Sequence, residues 1–151
     1  MRPIYERPND RTRQGEIIRV LTAATGLRAE PTVPLVGWDF TLFRPDNTVS
    51  ALVEVKARNH ERLRYPTYII SRAKIDALAE DAERNGCTGG LLVGWQDATG
   101  WVRVNHPIRQ TWNVIRGGRR DRNDPADIEP MYEIPHESFR ILPCAPAHRG
   151  V

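Results

Sequence analysis

The chain has 151 residues, 27% of them charged, with a net charge of +3 and a sequence isoelectric point near 9.2. That length suits one domain, 1–151, with its own core, and the mildly basic balance fits a nucleic-acid partner without requiring one. No apolar run could span a bilayer, Met1–Arg7 lacks the apolar centre of a signal peptide, and Cys87 and Cys144 stand apart with no Cys-x-x-Cys spacing; the expectation is no membrane, no disulfide scaffold, no thiolate zinc site, and a reducing, cytoplasmic setting.

The first eleven residues carry two prolines and read as a loose arm. A helix is predicted from about Arg13 to Thr25, capped by Asp10 or Thr12. Ile17, Ile18 and Leu21 form its apolar stripe, and Gly26 ends it. Glu16 lies at the border of that stripe. A short strand over 32–35 leads into a second strand, Val36–Phe43, with Asp39 at its centre. Pro45-Asp46-Asn47 makes a turn. Ser50–Ala57 is a further strand, aliphatic except for Glu54 and Lys56.

Residues 58–66 form a charged loop with Arg58, His60, Arg62 and Arg64. A helix runs from Ile69 or Ser71 to about Asn85, closed by Gly86. Gly89–Trp95 and Trp101–Val104 are strands joined by the turn Asp97–Gly100. Beyond His106 the signal weakens. An edge strand is expected over 110–115, an arginine-rich loop over 116–125 that includes Arg119 and Arg120, a short strand over 131–134 and a turn of helix near 137–139. The order of elements gives an α/β fold with a mixed central sheet covered by helices. Its core spans about 12–104, and 105–151 form a C-terminal extension.

Glu54-Val55-Lys56 carries the most information. Side chains two apart on a strand share a face, so Glu54 and Lys56 point together and Val53 and Val55 point the other way. Charges within an apolar strand are costly unless paired or bound to a metal. A hairpin would bring Asp39 beside Glu54. The plainer alternative is an ion pair on a solvent-exposed strand, with Asp39 merely near a turn.

Asp39 followed after fourteen residues by Glu54-x-Lys56, with a Glu-bearing helix before and a helix after, resembles the PD-(D/E)XK superfamily of restriction-endonuclease-like nucleases. Gly37-Trp38 replaces the name-giving proline. The resemblance covers about residues 12–104. It implies a metal-dependent endonuclease that hydrolyses DNA phosphodiester bonds, structure-selective and similar to the small phage-type and Holliday-junction-resolvase-like members, which work as homodimers. It implies Asp39 and Glu54 as ligands of Mg2+ or Mn2+, the Val55 carbonyl as a third ligand, Lys56 acting on the attacking water, and Glu16 as an outer ligand. Arg58, Arg62, Arg64, Lys74, Arg119 and Arg120 would contact the nucleic acid. Two alternatives stay open: a nucleic-acid-binding or structural protein of the same fold without catalysis, and an enzyme acting on another phosphate ester.

Overall fold

The computed structural model describes residues 8–33, 36–118 and 128–143. In chain order these contain helix α1 (Pro8–Thr25), strands β1 (Arg28–Pro31), β2 (Phe40–Phe43), β3 (Val49–Ala57) and β4 (Thr67–Ser71), helix α2 (Arg72–Arg84), and strands β5 (Thr88–Gly94), β6 (Thr99–Arg103), β7 (Asn113–Gly118), β8 (Ile128–Pro135) and β9 (Arg140–Ile141). No helix among the described residues is long and apolar enough to cross a membrane.

A six-stranded sheet runs in the order β1-β2-β3-β5-β6-β9. Only β3 and β5 pair in parallel, with Glu54 opposite Leu91 and Lys56 opposite Val93; the other neighbours are antiparallel. Parallel strands need a long crossover, and β4 with α2 supplies it. A second sheet, β4-β8-β7, is antiparallel throughout.

β3 lies between β2 and β5 and is buried from Ala51 to Val55. Its alternation divides the core. Ala51, Val53 and Val55 pack with Ile17, Ile18 and Leu21 of α1 and with Leu42 and Leu92. Leu52 faces the other way, into a cluster with Ile75, Leu78, Ala79 and Ala82 of α2 and with Leu91, Val93 and Ile134. Each large aliphatic side chain buried this way contributes about 1.5–3 kcal/mol. Two glycines let the layers close: a Cβ on Gly90 would fall inside the Trp101 ring, and one on Gly94 would meet Ile17 Cδ1 at 2.6 Å.

Several expected boundaries differ. α1 begins at Pro8 instead of Arg13, since the first turn of a helix needs no N–H partner and accepts proline. The strand expected over 36–43 narrows to Phe40–Phe43. Residues 36–39 bend, and Thr32 closes that bend through its N–H to the Asp39 carbonyl (2.9 Å) and its hydroxyl to the Trp38 carbonyl (2.5 Å). The strand ahead of it is β1, not 32–35, of which residues 34 and 35 lie outside the described set. Ile69–Ser71 belong to β4, not to a helix. Tyr68 and Ile70 are buried and Ile69 exposed, a period of two. Ser71 ends the strand and caps α2, its hydroxyl accepting from Lys74 N at 3.3 Å. β7 is the edge of the second sheet, three residues later than expected, and β8 is longer than 131–134. Arg119, Arg120 and the last eight residues lie outside the described residues.

Candidate active site

β2 begins at Phe40, one residue after Asp39, and its ladder with β3 begins there too: Phe40 pairs with Val53, and nothing on β2 is left for the Val55 amide. Asp39 fills that position with its side chain. Its N–H donates to the Val53 carbonyl at 2.8 Å, and its Oδ2 accepts from Val55 N at 2.8 Å. The acid is therefore fixed in place by backbone. A residue's N–H and C=O leave a strand by the same edge, so the Val55 carbonyl also lies on the Asp39 side.

Glu54 points to the α2 face of β3 and is 3% exposed. Its Oε1 accepts from Lys74 Nζ at 2.7 Å, and Lys56 Nζ lies 3.9 Å from the same oxygen. Lys74 reaches it from the first turn of α2, where the Ser71 cap fixes the helix start. Asp39, Glu54, Lys56 and Lys74 thus meet at one point.

The charges perturb one another. Burial raises the Asp39 carboxyl to about 7, and the neighbouring Glu54 carboxylate adds to this by its charge and by a shared hydrogen bond; the Val55 amide and Lys56 oppose it. Burial lowers Lys56. Attraction to Glu54 works against that shift, and repulsion from Lys74 reinforces it. Lys74 also feels burial, but Glu54 outweighs it and holds its ammonium above the usual range. Tyr68, behind the site, is pushed well up by burial and stays a neutral phenol.

The donor set fits a hard divalent cation better than zinc. Among the described residues no three His, Cys, Asp or Glu side chains cluster. Two carboxylates crowded into one hydrogen bond with a carbonyl at the same edge suit an ion that keeps several waters, such as magnesium. The share of the Asp39 shift that comes from Glu54 is what a cation between the acids would relieve.

Glu16 is not brought to this point. It is exposed on α1, which covers the Val53–Val55 face, opposite Glu54. Arg11, Gln14 and Gly15 of α1 instead border a hollow of about 530 Å3 that Asp39 also lines. Gln14 is a site-side residue that the sequence reading passed over. Its signal is its place three residues before Ile17, on the same helical stripe.

A separate pocket of about 340 Å3 lies beside the arginines that follow β3. Arg58 and Arg62 line it, and Arg64 lies 5.6 Å over the ring of Tyr65 at its mouth. Arg58 sits 4.8 Å over the ring of Tyr68. Of the described histidines, His60 and His136 border this pocket.

An acid at the end of a hairpin strand, a Glu-x-Lys on the adjoining central strand and a parallel β3–β5 crossover through α2 define the PD-(D/E)XK class of fold. The comparison with solved structures agrees. Hjc of Archaeoglobus fulgidus, a Holliday junction resolvase from an archaeal hyperthermophile, superposes with a TM-score of 0.54 at 14% identity, covering 84% of this chain and 87% of that one. The chain belongs to the family described as "phage putative PDDEXK endonuclease", which matches residues 1–142. No curated protein matches the sequence.

Proposed function

We propose that the chain is a divalent-metal-dependent endonuclease that hydrolyses DNA phosphodiester bonds at the Asp39–Glu54–Lys56 centre, with a preference for branched or otherwise irregular DNA. The observation that carries this is the meeting of two carboxylates and two ammonium groups on the β2–β3 hairpin and α2, in a chain of a nuclease family. Asp39, Glu54 and the Val55 carbonyl would hold Mg2+ or Mn2+. The ion would neutralise phosphate charge and make a bound water nucleophilic at neutral pH.

The chain's own groups do the rest. Lys56, its ammonium weakened by burial, stands beside Glu54 where it can hold the attacking water and meet the phosphate. Lys74 fixes the orientation of Glu54 and adds a second positive charge facing the DNA. Val55 N holds Asp39 so that it need not reorganise. Arg58, Arg62 and Arg64 continue the positive surface beyond the strand. Glu16 is exposed on α1, and Gln14, which borders the hollow that Asp39 lines, is the better placed of the two to meet the site. A homodimer would set two such centres on two strands, as a branched substrate requires. Branched preference is supported by the fold's likeness to a junction resolvase.

The test is cleavage of four-way branched, duplex and single-stranded DNA in magnesium, in manganese and in chelator. Cutting of the branched substrate with either ion and none in chelator is expected. Binding without cutting under every condition would favour the binding-only alternative.

A further inference from the structure

The pocket beyond the end of β3 is not needed for the chemistry described above, and its lining is unusual. Five buried side-chain polar atoms among the described residues have no hydrogen-bond partner, and three of them belong to residues that line this one pocket: Tyr68 Oη, Trp95 Nε1 and His136 Nδ1. Those residues are only 3%, 5% and 7% exposed. Buried polar groups are nearly always paired, with protein or with water, so three orphans on residues around one pocket mark it as a place where polar partners are wanting.

Their chemistry narrows the class. Tyr68 and Trp95 offer O–H and N–H. His136 Nε2 lies 2.7 Å from the Tyr65 carbonyl, which only accepts, so Nε2 carries a proton, and Nδ1 is the acceptor in the tautomer with a single ring proton. Glu133 adds a carboxylate to the lining. A wall that mixes donors with acceptors and holds a negative charge disfavours an anion inside. It suits a flat, neutral heterocycle with both kinds of group on its edge. At the mouth, Tyr65 is 51% exposed with its ring held edge-on by His60 at 4.9 Å, a ready stacking face. Arg58 and Arg62 supply the positive charge at the same rim. The rim is fixed by Gln96 N to the His60 carbonyl (3.0 Å) and Arg62 N to Asp97 Oδ1 (2.8 Å). Arg58 follows Lys56 by two residues, about 6.6 Å along an extended chain, or a nucleotide or two of a DNA strand.

We propose that this pocket receives one unstacked nucleotide of the substrate, its base against Tyr65, Tyr68, Trp95 and His136 and its flanking phosphates on Arg58 and Arg62. The proposal rests on the reading of the chain as a DNA nuclease and names what that nuclease selects. An unpaired base at a branch or bulge enters at little cost, whereas a paired base must first leave its stack. Structural selectivity would then come from this pocket, near the cleavage centre but distinct from it.

The experiment compares the full-length protein's affinity, in chelator, for branched DNA with one unpaired nucleotide and for the same DNA with an abasic residue there. The wild type should bind the base-bearing DNA about tenfold more tightly, the scale of one stacked base. Tyr65→Ala and Tyr68→Phe should each reduce that ratio to below about threefold while binding the abasic DNA as the wild type does, which also shows that the variants are folded. A ratio near one for the wild type, or an unchanged ratio in both variants, overturns the proposal. Cleavage of the same DNA in magnesium is scored separately. A base preference without cleavage supports the pocket and sinks the nuclease reading; cleavage without a base preference does the reverse.

Discussion

Asp39 is the residue whose environment has the most measurable consequence. Unfolded, its carboxyl releases its proton near 3.8; folded, it keeps it to about 7. Between those values the native state binds more protons than the unfolded chain, so stability falls as pH rises. The contribution is fully present below pH 3.8 and lost as pH passes 7. Thermal melts in chelator should show it, and Asp39→Asn should flatten the curve across this window. Added magnesium should restore stability near neutral pH in the wild type with release of protons, because the ligand must deprotonate to bind. Melting temperatures of wild type and Asp39→Asn that vary with pH in parallel would contradict this picture. Lys74 is the complementary case. It is 45% exposed, so its pair with Glu54 is partly screened, yet the glutamate it serves is buried. Lys74→Ala should cost about 1–2 kcal/mol in chelator and less when magnesium is present, as measured by denaturant titration.

At the scale of elements, β3 and the two helices were the readable part. Its alternation put Glu54 with Lys56 on one face and Val53 with Val55 on the other, and the two cores have that division. What sequence could not give was the sheet that β4 joins. Tyr68 and Ile70 fit a strand, but Ile70, Ala73 and Ile75 also fit a helical stripe, and only pairing with β8 decides between them. The setting of Glu16 depends on helix rotation in a similar way. Two residues turn a helix by about 200°, so Gln14 borders the Asp39 hollow while Glu16 is exposed, and the one mark of that rotation in the sequence is Gln14's place three residues before Ile17. Lys74 lacked a helical acid partner in sequence; its partner, Glu54, is twenty residues away on another element. The α2 side of the sheet should be the less forgiving. Ile75 is wholly buried, and Ile75→Ala should cost about 2–5 kcal/mol by the lost transfer energy and the cavity left behind. Ser71→Ala, which removes the α2 cap, should cost about 1 kcal/mol and loosen the helix start that carries Lys74. Equilibrium unfolding of the two variants checks both values.

For the whole molecule, the charge of the surface that follows β3 and the chemistry of the Asp39–Glu54–Lys56 centre are separable. Arg58, Arg62 and Arg64 follow the central strand, and each phosphate they contact should contribute about 0.9 to the slope of log affinity against log salt. Replacing all three by glutamine should flatten that slope by about 2 to 3; an unchanged slope would move the binding surface elsewhere. The centre itself is tested most directly by the rate of branched-DNA cleavage as a function of magnesium concentration for the wild type, Lys56→Ala and Glu54→Ala. The account predicts a saturable wild-type curve, a Lys56→Ala curve saturating at a similar magnesium concentration with a rate lower by about 100-fold or more, and no saturable activity for Glu54→Ala. Wild-type cleavage that persists in chelator, or a Glu54→Ala protein that cuts as the wild type does, would contradict it.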